Sequence, residues 1–320
     1  METMRIGILG TSDVASRRFL PALKRCPCFT YVGTASRDAA KAKHFANLHG
    51  GKGFLGYETL LTSDEVDALY IPLPPVLHYH WAKKALEHGK HVLLEKPFTT
   101  NLDDTKDLIG LAKKQGLALH ENYTFIYHQQ LAEVQRILAA GVIGDIRLIR
   151  AAFGFPFRGF QDFRYSKELG GGALFDCGGY PIRLGSFLLG ESARVIAAQL
   201  EYIEGIDVDL FGSATLENDA GSTTQIAFGM DNSYKCELEV WGNKGCLLAT
   251  RIFTAPPEYQ PEIILTIDGK SKSILIMKDD QFLNSISAFY EEISDMRIAK
   301  LNYKEILRQS RLIEDVLYLS

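Results

Sequence analysis

Residues 5–15 read RIGILGTSDVA, an apolar run that ends at a glycine and passes directly into a helical pattern. The run predicts a buried strand over Arg5–Gly10, and the apolar spacing after it predicts a helix over Val14–Lys24. A strand that turns straight into a helix is the first half of a βαβ unit, in which the next strand runs parallel to the first. The segment therefore predicts the beginning of a parallel sheet.

The same alternation continues through the first 120 residues. Short apolar runs predict further strands at Phe29–Ala35, Ala68–Leu73, Val92–Leu94 and Ala118–Glu121. Helical patterns lie between them at Ala39–Leu48, Tyr57–Leu61, His80–His88 and Leu102–Gln115. Alternating strands and helices are typical of an α/β fold with a parallel sheet. We therefore expect residues 1–122 to form a Rossmann dinucleotide-binding domain.

After residue 122 the pattern changes to strands with period two. In residues 235–241, KCELEVW, apolar and charged side chains alternate. Helices are predicted at Gln129–Ala140, at Gly179–Leu189 and from Gln281 onward. Further strands are predicted at Ile146–Gly154, Val195–Tyr202, Val208–Glu217, Thr223–Met230, Gly245–Ala249, Ile263–Ile267 and Ser273–Met277. We expect residues 123–320 to form an α+β domain for substrate binding and oligomerisation, with a large, mainly antiparallel open sheet and a last helix able to pack back on the first domain.

The composition is typical of a globular protein, with 46% hydrophobic and 23% charged residues among 320. A net charge of −4 gives no general attraction to nucleic acid or anionic lipid. No apolar run approaches the roughly 20 residues that span a bilayer, and no signal-peptide pattern opens the sequence. The five cysteines are scattered without zinc spacing, so we expect reduced thiols, no metal site and a cytoplasmic location.

The turn after the first predicted strand is a candidate cofactor loop. A dinucleotide fingerprint has the form Gly-x-Gly-x-x-Gly, which lets the backbone approach a pyrophosphate. Here only Gly10 matches, while the small residues Ser12 and Ala15 occupy the second and third positions. An ordinary tight turn would look the same, and the strand-then-helix context favours the cofactor loop. The residues of the candidate loop are Gly10, Thr11, Ser12, Asp13, Val14 and Ala15.

The end of the second predicted strand bears on the choice of cofactor. A carboxylate there binds the ribose of NAD, whereas arginine suits the 2′-phosphate of NADP. This chain has Ser36 and Arg37, two donors for a phosphate, followed by Asp38. Asp38 also suits the first turn of the next helix, where the helix dipole favours a negative charge. The sequence therefore favours NADP(H) over NAD(H).

Two later strand ends point to the same edge of the sheet. The proline-rich segment after the third predicted strand should line the cleft through Leu73 and Pro74, and His78 should cap the next helix near the nicotinamide. The run Val92–Leu94 ends in Glu95 and Lys96. Because ligands of open parallel sheets bind beyond the carboxyl ends of the strands, Glu95 and Lys96 are candidates for cofactor binding and Lys96 for catalysis. A surface ion pair is the alternative interpretation.

A second candidate site lies in residues 170–181, GGGALFDCGGYP. If this stretch is helical, Asp176 and Tyr180 share one face and can reach one substrate. A phenol, with a solution pKa of roughly 10, can protonate an alkoxide once a nearby cation stabilises its anion. Lys96 is the candidate cation. A tyrosine packed at a domain interface with a satisfied hydroxyl is the alternative.

Together these motifs resemble the Gfo/Idh/MocA oxidoreductases, and the resemblance covers nearly the whole chain. It implies that Lys96 contacts substrate and nicotinamide ribose beside a cis proline, Pro97. Many members have histidine at the position of Tyr180 and aspartate at that of Arg183, so tyrosine here resembles the branch of dihydrodiol and aldose dehydrogenases and nucleotide-sugar ketoreductases. Five further stretches resemble NDP-hexose 3-ketoreductases: residues 121–128, 228–234, 239–242, 253–257 and 279–282.

That resemblance implies reduction, with NADPH, of a ketone on a nucleotide-linked deoxysugar. Lys96 and Tyr180 would be catalytic; the expected substrate-binding residues are Asp176, Asn122, Tyr123, Arg158 and Arg164. An NADP-dependent aldose or trans-dihydrodiol dehydrogenase could use the same residues on free sugars or diols. A dinucleotide-sensing regulator would not need Lys96 and Tyr180 together. We expect a homodimer or homotetramer assembled through the C-terminal sheet.

Overall fold

The computed structural model describes residues 3–320. One sheet contains six parallel strands. They are β1 (Met4–Leu9), β2 (Phe29–Ser36), β3 (Lys52–Leu55), β4 (Ala68–Ile71), β5 (His91–Leu94) and β6 (Leu119–Glu121). Their order in space is β3-β2-β1-β4-β5-β6, so the strand order reverses between β1 and β4, where open sheets bind ligands. The predicted Rossmann sheet is confirmed.

Strand β3 is the one strand of this sheet that the sequence pattern does not predict. Its residues have the sequence KGFL, and three of the four residues are exposed. An edge strand that buries neither face has no periodic apolar signal. Its existence depends on pairing with β2, which only the folded sheet provides.

Helices connect the strands as predicted, with one difference in type. The helices are α1 (Leu20–Leu23), α2 (Ala39–His49), α3 (Tyr57–Leu61), α4 (His78–Glu87) and α5 (Leu102–Gln115). The predicted helix Val14–Lys24 begins as a π-helical turn, Ala15–Phe19, before α1. Pro21 has no N–H to donate to the carbonyl four residues earlier, which is where the ordinary helical pattern would require one. The bounds predicted for α3 and α5 agree with the structure.

The second sheet has eight strands in the order β14-β13-β12-β11-β7-β10-β9-β8. They are β7 (Ile146–Gly154), β8 (Arg194–Tyr202), β9 (Asp209–Glu217), β10 (Thr223–Gly229), β11 (Lys235–Gly242), β12 (Gly245–Thr250), β13 (Glu262–Ile267) and β14 (Lys270–Leu275). Only β7 and β10 pair in parallel, so the prediction of a mainly antiparallel sheet is confirmed. The last strand begins three residues earlier than predicted, because the Asp268-Gly269 turn leads straight into it.

Helices α6 (Gln129–Ala139) and α7 (Gly179–Leu189) contact one face of this sheet. The strand residues on that face, among them Ala151, Phe153 and Ile226, are buried with them in one apolar core. On the other face the side chains are polar or exposed. Arg150 lies over the exposed ring of Trp241, 5.2 Å from its centroid.

Two C-terminal helices complete the fold, α8 (Gln281–Ser294) and α9 (Met296–Leu319). By contacts the chain divides into two compact units. The first, called here the Rossmann unit, contains the chain up to Asn122 together with Phe282–Ser310. The second, the C-terminal unit, contains Tyr123–Gln281 and Arg311–Ser320. Among the described residues, no helix combines the length and apolar composition needed to cross a bilayer.

Candidate active site

The loop after β1 has the geometry of a close backbone approach. Gly10 has φ +108°, and a Cβ at this position would lie 2.9 Å from Cδ2 of Leu73. Glycine is therefore required here, because any side chain would be strained at this φ and would collide with Leu73. Ser12 Oγ accepts a hydrogen bond from the Ala15 N–H at 3.2 Å, which fixes the start of the π-helical turn. The exposed or half-buried members of the loop are Thr11, Ser12, Asp13 and Val14.

The end of β2 presents an arginine to solvent. Ser36 is buried, and its hydroxyl accepts a hydrogen bond from the Asp38 N–H at 3.2 Å. Asp38 is the N-cap of α2, where its carboxylate accepts from the N–H groups of Ala40 and Lys41. Arg37 is exposed, and within residues 3–320 its guanidinium forms no ion pair or hydrogen bond. The carboxylate is thus occupied by the helix, and the arginine is available to a phosphate.

The segment after β4 holds its shape through His78. The prediction that His78 caps a helix is wrong: it is the first residue of α4, and no side chain caps that helix. Its fully buried ring instead lies between two backbone carbonyls, Leu73 O at 2.7 Å and Pro97 O at 2.8 Å. Burial lowers the pKa of His78 to about 4. The neutral ring has one N–H, so it donates to one of these two carbonyls and packs against the other, and it supports the segment of Leu73 and Pro74 from behind.

Beyond β5, Glu95 and Lys96 form a turn that buried side chains surround. The Lys96–Pro97 peptide bond is cis. Glu95 Oε1 accepts from Tyr70 OH and from Asn122 Nδ2, each at 2.6 Å. Asn122, predicted to contact substrate, is buried and uses its side-chain oxygen to accept from Ser285 at 2.8 Å. Both ends of its amide are thus engaged within the Rossmann unit.

In the C-terminal unit, Tyr180 lies at the start of α7 in an aromatic cluster. Its half-buried ring lies 5.2 Å from that of Tyr123 and 5.0 Å from that of Phe153, centroid to centroid. Phe125 and Phe253 complete the cluster at 5.9 and 5.8 Å. These rings hold the phenol in one orientation. Tyr123, a predicted substrate contact, is buried as a wall of this cluster.

Asp176 precedes α7 in a second π-helical turn, Leu174–Gly178. Its carboxylate accepts from Arg164 Nε at 2.7 Å, and the same guanidinium contacts Asp162 at 3.0 Å. Burial alone would lower the pKa of Arg164, but the two carboxylates raise it overall. Arg164, a predicted substrate contact, is therefore committed to two aspartates. Arg158 is exposed and its guanidinium lies 4.4 Å from the centroid of the Phe155 ring.

The structure adds a residue that sequence reasoning missed. Asp209, at the start of β9, accepts a hydrogen bond from the Leu174 N–H at 2.7 Å and so anchors the turn that carries Asp176. Gly172 has φ +120°, and a Cβ there would lie 2.4 Å from Asp209 Oδ1. Burial raises the pKa of Asp209 to about 6. The run of glycines at residues 170–172 was the signal, since it marks a site of close approach.

Comparison with known proteins agrees with this architecture. Residues 4–123 match the family described as "Oxidoreductase family, NAD-binding Rossmann fold", and residues 131–248 match the "GFO/IDH/MocA C-terminal domain". An Actinomadura kijaniata enzyme named dTDP-3,4-didehydro-2,6-dideoxy-α-D-glucose 3-reductase is 39% identical over 313 residues, covering 98% of this chain and 94% of that enzyme. A Haloferax volcanii D-xylose 1-dehydrogenase (NADP(+)) is 30% identical, covering 98% of this chain and 96% of the relative.

Among solved structures, the A. kijaniata 3-ketoreductase KijD10 in complex with NADP and TDP-benzene superimposes with a TM-score of 0.95. The two chains are 38% identical, and the match covers 99% of this chain and 98% of KijD10. The match with KijD10 therefore includes the strands of both sheets, and the two family models match the chain in the order of its two domains. This chain belongs to the GFO/IDH/MocA family of oxidoreductases.

Proposed function

We propose that this protein reduces the C-3 ketone of a TDP-linked deoxysugar with NADPH. The observation that carries the proposal is the aromatic cluster that orients Tyr180 in the C-terminal unit, combined with Lys96 at the end of a buried strand of the Rossmann unit. Relatives that carry the name of a dTDP-sugar 3-reductase are 36% to 39% identical over nearly the whole chain, which supports the same substrate class.

The residues present fit a bound NADP(H). Gly10 lets the loop turn closely against Leu73, and the N–H groups of Thr11–Val14 would donate to a pyrophosphate, while that of Ala15 is bonded to Ser12 Oγ. Ser36 and Arg37 would hold the 2′-phosphate, because Arg37 has no carboxylate partner among residues 3–320. Glu95, Lys96, Leu73 and Pro74 would line the nicotinamide end, with His78 behind them. When bound, NADPH supplies the hydride that reduces the ketone carbon.

We infer that Lys96 and Tyr180 act on one carbonyl oxygen. Tyr180 would donate its phenolic proton to the oxygen as negative charge develops there, and the Lys96 ammonium would stabilise that charge. Asp176, held by Arg164, would orient a sugar hydroxyl. Because Arg164 is paired with two aspartates, Arg158 is the better candidate for a diphosphate. Asn122 and Tyr123 would support this site from the buried side.

Two reactions test the proposal directly. Purified protein is incubated with a TDP-linked 3-keto deoxysugar and NADPH, and the loss of nicotinamide absorbance is followed. A parallel incubation contains free aldoses or a trans-dihydrodiol with NADP. We expect turnover in the first reaction to exceed that in the second by at least about a hundredfold. Turnover only in the second would replace the ketoreductase with a dehydrogenase.

The dehydrogenase is the second candidate function. It is favoured by the D-xylose dehydrogenase that is 30% identical and by a Xenopus laevis trans-1,2-dihydrobenzene-1,2-diol dehydrogenase that is 33% identical over 60% of this chain. In the oxidative direction Tyr180 would accept the proton of the substrate hydroxyl, and Lys96 would again stabilise the negative charge, because the general acid of a reaction is the general base of its reverse. If neither reaction shows turnover, the remaining interpretation is a dinucleotide-sensing regulator without enzymatic activity.

We also propose that the protein assembles into a homodimer or homotetramer through the second sheet and acts in the cytoplasm. The exposed face of that sheet carries Trp241, 48% exposed, beside Arg150. Aromatic and arginine side chains are typical of subunit interfaces. Light scattering should give a mass above that of one chain, and Trp241→Glu should lower it while Leu48→Glu, on the exposed side of α2, should not.

A further inference from the structure

A buried chain of polar side chains runs from α8 to the turn that carries Lys96. All its members belong to the Rossmann unit. Its consecutive contacts are Glu292 Oε1 to His120 Nδ1 at 2.8 Å, His120 Nε2 to Ser285 Oγ at 3.0 Å, Ser285 Oγ to Asn122 Oδ1 at 2.8 Å, and Asn122 Nδ2 to Glu95 Oε1 at 2.6 Å. Glu95 and Asn122 already have a place in the proposed site, whereas Ser285, His120 and Glu292 have none.

The directions of these hydrogen bonds follow from counting hydrogens. Glu95 Oε1 receives both Tyr70 OH and Asn122 Nδ2, as expected of a carboxylate, which acts as an acceptor. The Asn122 side-chain oxygen therefore faces Ser285, and the Ser285 hydroxyl donates its one hydrogen to that oxygen. Ser285 must then accept from His120 Nε2–H. The whole network therefore fixes the orientation of the Asn122 amide and of the His120 ring.

One further proton is required at the buried end. Because His120 Nε2 carries a hydrogen, the 2.8 Å contact between His120 Nδ1 and Glu292 Oε1 can be a hydrogen bond only if a second proton lies between them. Both side chains are almost completely buried, at 0% and 3% exposure. Held with this proton, the pair carries no net charge, as its burial requires. The links from His120 to Glu95 thus have one direction, and the proton shared with Glu292 keeps the Nε2–H of His120 on Ser285.

The far end of the chain bears on Lys96. Glu95 Oε2 accepts from the Lys96 backbone N–H at 3.4 Å, and the Phe98 N–H donates to the buried carboxylate of Glu121 at 3.0 Å. Two carboxylates therefore hold the peptide groups on either side of Pro97. The Glu95 carboxylate keeps its own position through Tyr70 and Asn122, and Asn122 keeps its amide orientation through Ser285.

We propose that Ser285, His120 and Glu292 are positioning residues that act through Asn122 and Glu95 to fix the turn bearing Lys96. This role rests on the proposed function, in which Lys96 stabilises negative charge in the transition state. Misplacing a group that acts in the transition state lowers kcat, whereas the binding of NADPH through the loops of β1 and β2 remains unchanged. Helix α8, distant in sequence, would thereby contribute to the reaction.

Ser285→Ala removes the central link and tests the proposal. We expect kcat for the keto sugar to fall by about tenfold or more, since displacements of about 1 Å can cost up to a hundredfold, while the KM for NADPH stays within about twofold. Ser287→Ala is the matched control, because Ser287 lies on the same helix and, within residues 3–320, its hydroxyl bonds only to the Leu283 carbonyl, at 2.9 Å. The control should retain wild-type kcat.

Hydrogen exchange gives a second measurement that needs no turnover. In Ser285→Ala the amides of residues 94–96, 98 and 99 should exchange about fivefold or more faster than in wild type, and in Ser287→Ala they should not change. Wild-type kcat and wild-type exchange in Ser285→Ala would overturn the proposal. If wild type itself fails to reduce a keto sugar, the proposed function fails, and the exchange measurement still decides the positioning role.

Substitutions at Glu292 test the direction of the chain, and they remain informative if Ser285→Ala does not fold. In Glu292→Gln the amide can donate to His120 Nδ1 and leave Nε2–H on Ser285, so kcat and exchange should stay within about twofold of wild type. Glu292→Met, of similar size, cannot donate and should reproduce the effects expected of Ser285→Ala. Equal behaviour of Gln and Met would contradict the assigned direction.

Discussion

Asp209 should make the stability of this protein depend on pH between about 4 and 6. The residue is 6% exposed, and burial raises the pKa of its carboxyl to about 6 from an ordinary value of 3.8. The folded protein therefore holds this proton up to a higher pH than the unfolded chain does. The contribution to stability is present at low pH and is lost as the pH rises through this window.

The size of this effect follows from the two pKa values. Their difference, about 6 minus 3.8, is about 2.2 units, and each unit corresponds to 1.36 kcal/mol, so the full loss is about 3 kcal/mol, of which about 2.4 kcal/mol falls between pH 4 and pH 7. In Asp209→Asn the side chain has no charge at any of these pH values. Its oxygen can still accept from the Leu174 N–H, which anchors the π-helical turn.

The assay is urea unfolding at pH 4, 5, 6 and 7, followed by circular dichroism. The variant should show a free energy of unfolding that changes less with pH than that of wild type, by about 2.4 kcal/mol between pH 4 and pH 7. Loss of the second carboxylate oxygen can change the free energy of unfolding by the same amount at every pH, and such a change does not alter its dependence on pH. Asp207→Asn, an exposed neighbour two residues earlier, is the control. Parallel curves for wild type and Asp209→Asn would refute the reasoning.

Three further substitutions have defined outcomes. Gly172→Ala places a Cβ 2.4 Å from Asp209 Oδ1 and should lower the free energy of unfolding by about 2 kcal/mol or more relative to Gly221→Ala. Gly221 also has a positive φ, +77°, but open space surrounds it. Equal losses of stability in the two variants would exclude the contact with Asp209 as the cause. Arg37→Ala should raise the KM for NADPH about tenfold or more and leave that for NADH nearly unchanged, and equal effects on both would remove the 2′-phosphate role. Tyr180→Phe should lower kcat about a hundred- to ten-thousand-fold, and near-normal turnover would mean that another group supplies the proton.

Local patterns in the sequence were sufficient for most of the secondary structure. The spacing of apolar residues predicted α5, α7 and β7 with the bounds that the structure has. It needs only neighbours a few residues apart, and in these elements one face is buried against a core. The exposed edge strand β3 lacks that face, and the sequence pattern does not indicate it.

Some residues of the candidate site were indicated by local sequence patterns, and the roles of others were not. The motif at Glu95 and Lys96, the Gly10 loop and the pair Asp176 and Tyr180 were evident from the sequence, because strand ends and glycine runs mark where a ligand can approach. The role of Asp38 as a helix cap was also close to what its position suggested. For His78, Asn122 and Arg164, the sequence indicated polar residues near a cleft but not their partners.

Only the tertiary structure decided which buried polar groups meet. Ser285 bonds to Asn122 across 163 residues, and Glu292 to His120 across 172. Asp209 reaches Leu174 across 35 residues, where a glycine leaves room for it. A polar side chain in a helical pattern reads as solvent-facing unless its partner is known, and burial of hydrogen-bonded pairs depends on both members arriving together. Apolar periodicity is a local property of the chain, whereas hydrogen-bond complementarity belongs to the folded molecule.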